Sequence, residues 1–433
     1  MAGYFSKTNF TPSTSNTYTV SFWVKINNFA PTSSNVPYLW SISDSDTSGL
    51  FFQADTTPYN ITFFRSNGSA RFSPTNYMRD VNAWYHVHLK VSSGTGTLYY
   101  NGESVKTSIT VDAQNYNGGG AEHYIHTYGS GLTDYDNLEC VMSHFHFVDG
   151  TAYEPTVFGS TDSTTGEWKI NTSPSVTYGT NGYFILKDGN TGTDHSGNGN
   201  NFTLTGTCTK TEDSPSNVFC TINPLDNYIA NATLTNGNTT VATGSGNPSW
   251  NYITSTLGVN TGKYYWEVKD TTNNSSILGF ASKLTTASGD QLGESTAQWG
   301  VQSNGRFRSA GSDLATTGTF SFGQNDIVGF ALDCDNNKIY ISVNGVYGNS
   351  GNPSTGANGI TIASPDAGGG FGWYFPAFGD GNTTSDTYHV NFGNGYFGTT
   401  AVSSAGTNAS GNGIFEYDVP TGFTALSTKG LNL

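Results

Sequence analysis

Six of the eight histidines fall between His86 and His146, and four of them form two i, i+2 pairs, His86 with His88 and His144 with His146. Alternate residues of a strand share a face, so each pair would present two imidazoles side by side, as a transition-metal site requires. No Cys, Asp or Glu completes either pair at a familiar ligand spacing. The same alternation sets both pairs opposite the apolar residues, and a solvated or concave sheet face accounts for them without a metal. A second constellation is Asp194, Ser196, Asn198 and Asn200, hard oxygen donors on a glycine-rich turn of the kind Ca2+ prefers. The other reading of that turn is structural: Gly197 and Gly199 supply positive φ and Asp194 caps the backbone. Asp44 and Asp46 make a weaker acidic pair, read as solvated loop. There is no G-x-S-x-G elbow and no phosphate-binding loop, because the glycine clusters Gly118 to Gly120 and Gly368 to Gly370 precede no helical pattern.

Carbohydrate recognition has a different signature, aromatic faces laid on C–H surfaces with Asn, Asp and backbone groups around them. The stretches Gln114 to Gly120 and Tyr124 to Tyr135 read as exposed loops carrying those groups, and the candidates there are Asn115, Asn117, Tyr124, Tyr128 and Tyr135. The alternative is that Tyr128 and Tyr135 only pack their loops down. Trp299 and Trp373 are further candidates, as contacts for a ligand or another protein, or else as core.

Strands must position all of these residues. Asp326 to Tyr347 reads as a hairpin feeding a second turn. Val328, Phe330, Leu332 and Cys334 alternate with Ile327, Gly329, Ala331 and Asp333, Asp335 to Lys338 turn the chain, and Ile339, Ile341 and Val343 run back to Asn344-Gly345. Asn-Gly accepts positive φ and so marks a tight turn. Trp84 to Glu103 echoes this, with Tyr85, Val87, Leu89 and Val91 alternating, a turn at SSGTG, and a return strand ending at Asn101-Gly102. Further strands are expected at Tyr18 to Ile26, with Trp23 on the face opposite Tyr18, Val20, Phe22, Val24 and Ile26, and at Leu50 to Gln53, Ile61 to Phe64 and Glu139 to Val148. Two hairpin units so far apart imply two β modules, and 433 residues are enough for two cores.

Charged residues are only 11% of the chain while aromatics reach 14%, which suits many short strands joined by polar turns and not a disordered chain. With 17 Lys+Arg against 32 Asp+Glu, and no basic stripe, nucleic acid is excluded as a partner. The first residues, MAGYFSKTNFTPSTSN, lack a basic and apolar leader, so no secretory signal is expected. No apolar run approaches the roughly 20 residues of a membrane span. Cys140, Cys208, Cys220 and Cys334 are too scattered to staple the fold; Cys208 and Cys220 could close a short loop, or all four are thiols.

Several stretches carry a resemblance. SFWVKI, WYHVHLKVSSGTGTLYYNGESV, SHFHFVDG, YGTNGYF and DHSGNGNNF resemble the laminin-G-like, concanavalin A-like sandwich, over roughly the first half. Gly262-Lys-Tyr-Tyr-Trp-Glu-Val, Ile277-Leu-Gly-Phe-Ala, the Asp326 to Gly345 hairpin, Tyr374-Phe-Pro-Ala-Phe and Val390-Asn-Phe-Gly resemble a SPRY domain. The resemblance implies an all-β chain of two β-sandwiches, a concanavalin A-like jelly roll at 1–207 and a SPRY-like sandwich at 229–433. TEDSPSNVFCTINPLDNY and its flanks, 208–228, read as the connection.

The order HFVDG, FGSTDSTTGEW, YGTNGYF, DHSGNGNNF, NVFCTINPLDN, SPRY-like domain and FEYDVPTGFTALST is similar to structural proteins of tailed bacteriophages of marine hosts, described as tail-fibre-like or receptor-binding. It departs from ordinary tail fibres in having no heptad segment. The resemblance implies a virion surface protein assembled in the host cytoplasm, touching other virion proteins and a host glycan or receptor, with a homo-oligomer as a further candidate. The alternative is a capsid decoration or head-fibre protein. Laminin-G-like sandwiches often bind Ca2+, and the resemblance implies no cofactor besides that ion. Concanavalin A-like folds also host glycosidases, whose retaining members place two carboxylates about 5 Å apart, typically as Glu-x-Asp-x-Glu. No such motif occurs, and Glu267 in YYWEVKD lacks an i+2 partner and reads as a surface residue. The chain is expected not to be an enzyme.

Overall fold

A computed structural model describes the chain except residues 1–2, 9, 12–13, 29–37, 46–47, 57–58, 66–69, 75, 77, 79, 81–82, 112–113, 116–121, 128–138, 188–190, 209–210, 228–230, 245–250, 286–288, 382–383 and 433. The described residues form strands joined by turns, with helix confined to five short 3-10 segments. The chain divides into two compact units, the first Met1–Lys210 with Ser214–Ser216 and the second Thr211–Asp213 with Asn217–Leu433. The second unit therefore starts well inside the stretch expected to be a connection. Phe219, Cys220 and Ile222 are buried in its core, so NVFC and the residues after it are packed chain and not linker.

In the first unit a six-stranded antiparallel sheet runs Glu103–Thr110, Thr95–Tyr100, Trp84–Ser92, Tyr18–Asn28, Glu139–Asp149, Tyr183–Ile185. It faces a seven-stranded sheet in which Glu122–Ile125 lies between Tyr4–Lys7 and Tyr38–Ser45. The alternation in YTVSFWVKI works as expected. Tyr18, Val20, Phe22, Val24 and Ile26 are buried in one core with Trp40, Ile42, Ile61 and Phe63, whose apolar surface gives the sandwich its main driving force. Trp23, on the opposite face, is buried too.

In the second unit Lys263–Asp270 lies between Thr387–Asn391 and Ile327–Asp333 in a nine-stranded sheet, and Ser276–Ala281 lies between Phe375–Asp380 and Gln298–Gln302 in a six-stranded one. Trp266 stacks on Phe330, centroids 5.3 Å apart, and Phe280 on Trp299, 5.1 Å apart, within one core. Every residue of Ile327–Asp333 is buried, on both faces of the strand.

The two Asn-Gly turns use one device. Asn101 donates its N–H to the carbonyl of His86 and accepts the His86 N–H on Oδ1 at 2.8 Å. Asn344 does the same with Ile327, its Oδ1 accepting that N–H at 3.0 Å. Each Asn thereby adds one rung to the ladder between its own strand and the strand before it. The turn residues take positive φ in both cases, 47° and 79° for Asn101 and Gly102, 49° and 78° for Asn344 and Gly345. Each glycine also has an aromatic ring laid on it. A Cβ on Gly102 would lie 2.4 Å from the Trp168 ring, and one on Gly345 would lie 2.5 Å from the Tyr417 ring. Gly102→Ala and Gly345→Ala should therefore each destabilise by clearly more than the roughly 1 kcal/mol that left-handed backbone alone costs a side chain. Gly150→Ala, at φ 82° with open space around it, should cost only that, and denaturant unfolding of the three variants makes the comparison.

Candidate functional site

The histidine face of the first unit is covered. His86, His88 and His146 are nearly fully buried beneath Tyr153, Phe158, Trp168 and Tyr178 from the segment after Asp149, with Phe184 stacked on His146 from the neighbouring strand. The expected solvated face is corrected on that ground. Trp168 Nε1, which can only donate, binds His86 Nδ1 at 3.0 Å, so the imidazole carries its proton on Nε2 and gives it to Ser21 Oγ at 2.8 Å. His88 gives its Nε2 proton to the Tyr153 carbonyl at 3.0 Å. The His144/His146 pair is broken by a bulge that puts His144 at φ 49° and shifts the register between Ser143 and His146. No group of three or more His, Cys, Asp or Glu that could hold a metal occurs among the described residues.

The Asp194 turn is likewise spent on structure. Asp194 Oδ1 accepts the N–H groups of Phe184 and Ser196, and Oδ2 accepts Ser196 Oγ and the Asn200 N–H, at 2.7 to 2.9 Å. Asn198 and Asn200 point their amide N–H groups at the carbonyls of Gly179, Thr180 and Gly182. A carboxylate holding four donors needs no cation, and these residues do not fit Ca2+.

Among the recognition candidates, Tyr124 lies in the strand Glu122–Ile125, buried, with its hydroxyl on the Glu122 carboxylate, and not in an exposed loop. Asn115 pairs with Thr14 in a short strand. Asn117, Tyr128 and Tyr135 lie outside the described residues, as does Asp46. Trp299 is core and is corrected to a packing residue. Trp373 is 46% exposed and stands beside Phe371, 57% exposed, on a glycine-rich loop. All four cysteines are free thiols; Cys208 and Cys220 fall in different units.

The site that sequence reasoning missed is built on Glu267. Glu267 pairs with Gly329 across the sheet, so it projects from the face opposite the Trp266–Phe330 core. A Cβ on Gly329 would sit 2.7 Å from the Tyr265 hydroxyl, so only glycine lets Tyr265 lie across this face and donate to Glu267 Oε1 at 3.0 Å. The chain after Asn391 returns over the same face. Asn391 Oδ1 accepts the N–H groups of Gly393 and Gly395, and its amide donates to the Ile414 carbonyl. Glu267 then takes the backbone N–H groups of Glu416 and Tyr417, each at 2.9 Å. It is buried and not the surface residue expected. Burial pushes its carboxyl up to about 7, against the pull of those N–H bonds toward the ion.

Between this pinned segment and the far end of the hairpin lies a groove of about 720 Å3, within the usual size for ligand pockets. Tyr265, Tyr347 and Tyr417 line it, with Asn352, Ser354, Ser404, Thr407, Thr421, Glu416 and Asp418. Ser354 Oγ accepts the Thr421 N–H at 3.0 Å and ties one wall to the other. Thr407 N–H and hydroxyl on Asp418 Oδ1 hold that carboxyl below its ordinary value, so it stays ionised.

The two units should answer acid oppositely. His86, His88, His123 and His146 are lowered by burial, His88 and His123 to about 3. Below the unfolded value of about 6.5 the unfolded chain takes up protons that the folded one refuses, and stability falls by up to about 1.4 kcal/mol per pH unit for each. Glu122 and Asp149, raised by burial, act the other way, two carboxyls against four imidazoles. In the second unit Glu267, raised from 4.5 to about 7, holds a proton that the unfolded chain has lost. Its contribution is complete below the unfolded value and disappears as pH rises through about 7. Asp226 and Asp270, also raised by burial, have the same sign, while His389, lowered by burial, opposes them as one imidazole against three carboxyls. Calorimetry of the full chain from pH 7 to pH 5 should show one transition falling and the other rising, and Glu267→Gln should flatten the second.

Residues 2–136 match the family model described as the concanavalin A-like lectin/glucanases superfamily, and residues 263–394 match the SPRY domain. Among solved structures, the SPRY domain of human HERC1 is 18% identical, covering 37% of this chain and 91% of its own, with a TM-score of 0.29. The TRIM65 PSpry domain is 15% identical, covering 40% and 91%, with a TM-score of 0.28. A putative carbohydrate binding protein from Bacteroides ovatus is 16% identical, covering 48% of this chain and 56% of its own, with a TM-score of 0.32. No curated protein matches the chain. Glu416, Tyr417 and Asp418 lie beyond the SPRY match, so the groove is built by the domain together with its C-terminal extension. The chain is an all-β protein of two β-sandwich domains, one laminin-G-like and concanavalin A-like, the other SPRY-like.

Proposed function

We propose that this chain is a surface protein of a tailed-phage virion, tail-fibre-like and without enzymatic activity, that binds a host glycan or receptor through the groove of its SPRY-like domain. The groove carries the reading: its size, its tyrosines and its hydrogen-bonding rim are those of a recognition surface, and a buried carboxyl is committed to holding one of its walls in place. The lectin name of the family matched by residues 2–136 supports a glycan partner. The order of motifs from HFVDG to FTALST supports the phage setting.

The exposed pair Phe371 and Trp373 favours a second reading, a capsid decoration protein docked on another virion protein through aromatic anchors. Labelled full chain should adsorb to host cells, and Ser404→Trp, which fills the groove from an exposed position, should abolish adsorption. Phe371→Ala with Trp373→Ala should leave it unchanged. Adsorption lost only in the aromatic double variant, or immunogold labelling confined to contacts between virion subunits, would move the assignment to the second reading.

A further inference from the structure

Resting on the groove as the recognition surface, we infer that its ligand is an uncharged oligosaccharide, bound by stacking on Tyr417 and Tyr347 and by hydroxyl hydrogen bonds to Asp418.

The charges of the groove select against anions. Among the described residues its lining includes Glu416 and Asp418 and no Lys, Arg or His. The whole chain carries a formal charge of −15. A sialylated, uronated, sulfated or phosphorylated ligand would bring its anion against these carboxylates with no cation to receive it, an unfavourable encounter at close range. A sugar hydroxyl, by contrast, donates to a carboxylate, and charge-assisted bonds of that kind are the stronger ones. Asp418 is exposed and ionised, and the bonds it receives from Thr407 both fall on Oδ1, which leaves Oδ2 for a ligand.

The rings of the groove suit a sugar face. Tyr417 and Tyr347 are partly exposed, whereas Tyr265 is fully buried behind them and tied to Glu267. The Tyr417 ring rests against Gly345, which carries no side chain to lift it. Its backbone N–H is fixed on Glu267 at 2.9 Å, and the carbonyl of nearby Phe415 accepts the Gly406 N–H at 2.9 Å. A ring held in this way gives up little conformational entropy on binding a pyranose face, which suits a weak ligand made mostly of C–H and O–H groups. The remaining lining, Asn352, Ser354, Ser404, Thr407 and Thr421, offers hydroxyl and amide groups matched to sugar hydroxyls. A peptide partner would find fewer apolar anchors here than at Phe371 and Trp373.

Glu267 is then a positioning residue. It touches no ligand but sets where Tyr417 and Glu416 stand.

The full chain is tested on a printed array of uncharged, sialylated, uronated and sulfated oligosaccharides, beside adsorption to host cells. Binding to uncharged members is expected, at least tenfold weaker in Tyr417→Ala and in Ser404→Trp. Asp418→Lys should lose uncharged members and gain anionic ones, a change of selectivity that misfolding would not produce. Binding confined to anionic members overturns the inference, as does uncharged binding that survives Ser404→Trp. Groove-dependent adsorption to cells with no array binding also overturns it, in favour of a protein ligand, while the recognition reading stands. Array binding lost in Ser404→Trp while cell adsorption persists keeps the inference but removes the groove from host attachment.

Discussion

Buried polar side chains whose hydrogen bonding is completed by chain arriving much later in the sequence hold both domains in their final form. His86 needs the Trp168 N–H, His88 the Tyr153 carbonyl, and Glu267 the backbone of Glu416 and Tyr417. Leaving any of these groups buried and unpaired would cost on the order of 1–3 kcal/mol, more for a charge. Neither sandwich is therefore complete when its two sheets have closed. Each has a second, outward face that becomes interior when a later segment lies down on it.

The same arrangement occurs twice with different chemistry. In the first domain the covering segment delivers an indole that sits on the Asn101-Gly102 turn and reaches His86, which is itself stacked between Trp23 and Trp168. In the second it delivers a phenol that sits on the Asn344-Gly345 turn and is anchored through its backbone. A neutral imidazole and a carboxyl raised to about 7 give the two faces opposite proton linkage. The covering segment of the second domain also leaves a groove at its margin, so the pinning that completes the fold also shapes that groove.

Asp418 and Glu416 line that groove, each braced by a hydroxyl and a backbone N–H, from Thr407 and from Ser403 respectively. Acidic residues elsewhere, such as Asp194, are consumed in turns. Position in the fold, and not residue type, separates the two uses.

Much of the architecture was legible in the residues themselves. Period-2 alternation in YTVSFWVKI and DIVGFALDCD, and Asn-Gly at both hairpin ends, determined strands, faces and turns, because strand geometry and positive φ are local properties. What each outward face meets was not local. His86 and His88 looked solvated and Glu267 looked exposed because alternation says only that a side chain leaves the core, not that a segment from much later in the chain returns to cover it. Tyr124 looked available because its stretch read as an exposed loop, whereas it lies in a strand, and Trp299, open to either a contact or a core role, is core. The tertiary structure alone decided which polar residues became interior, brought Tyr347 and Tyr417 to one groove, and put Asp418 at its edge. Those contacts join residues far apart along the chain, and no spacing in the sequence encodes a meeting whose register is set by the packing of two sheets.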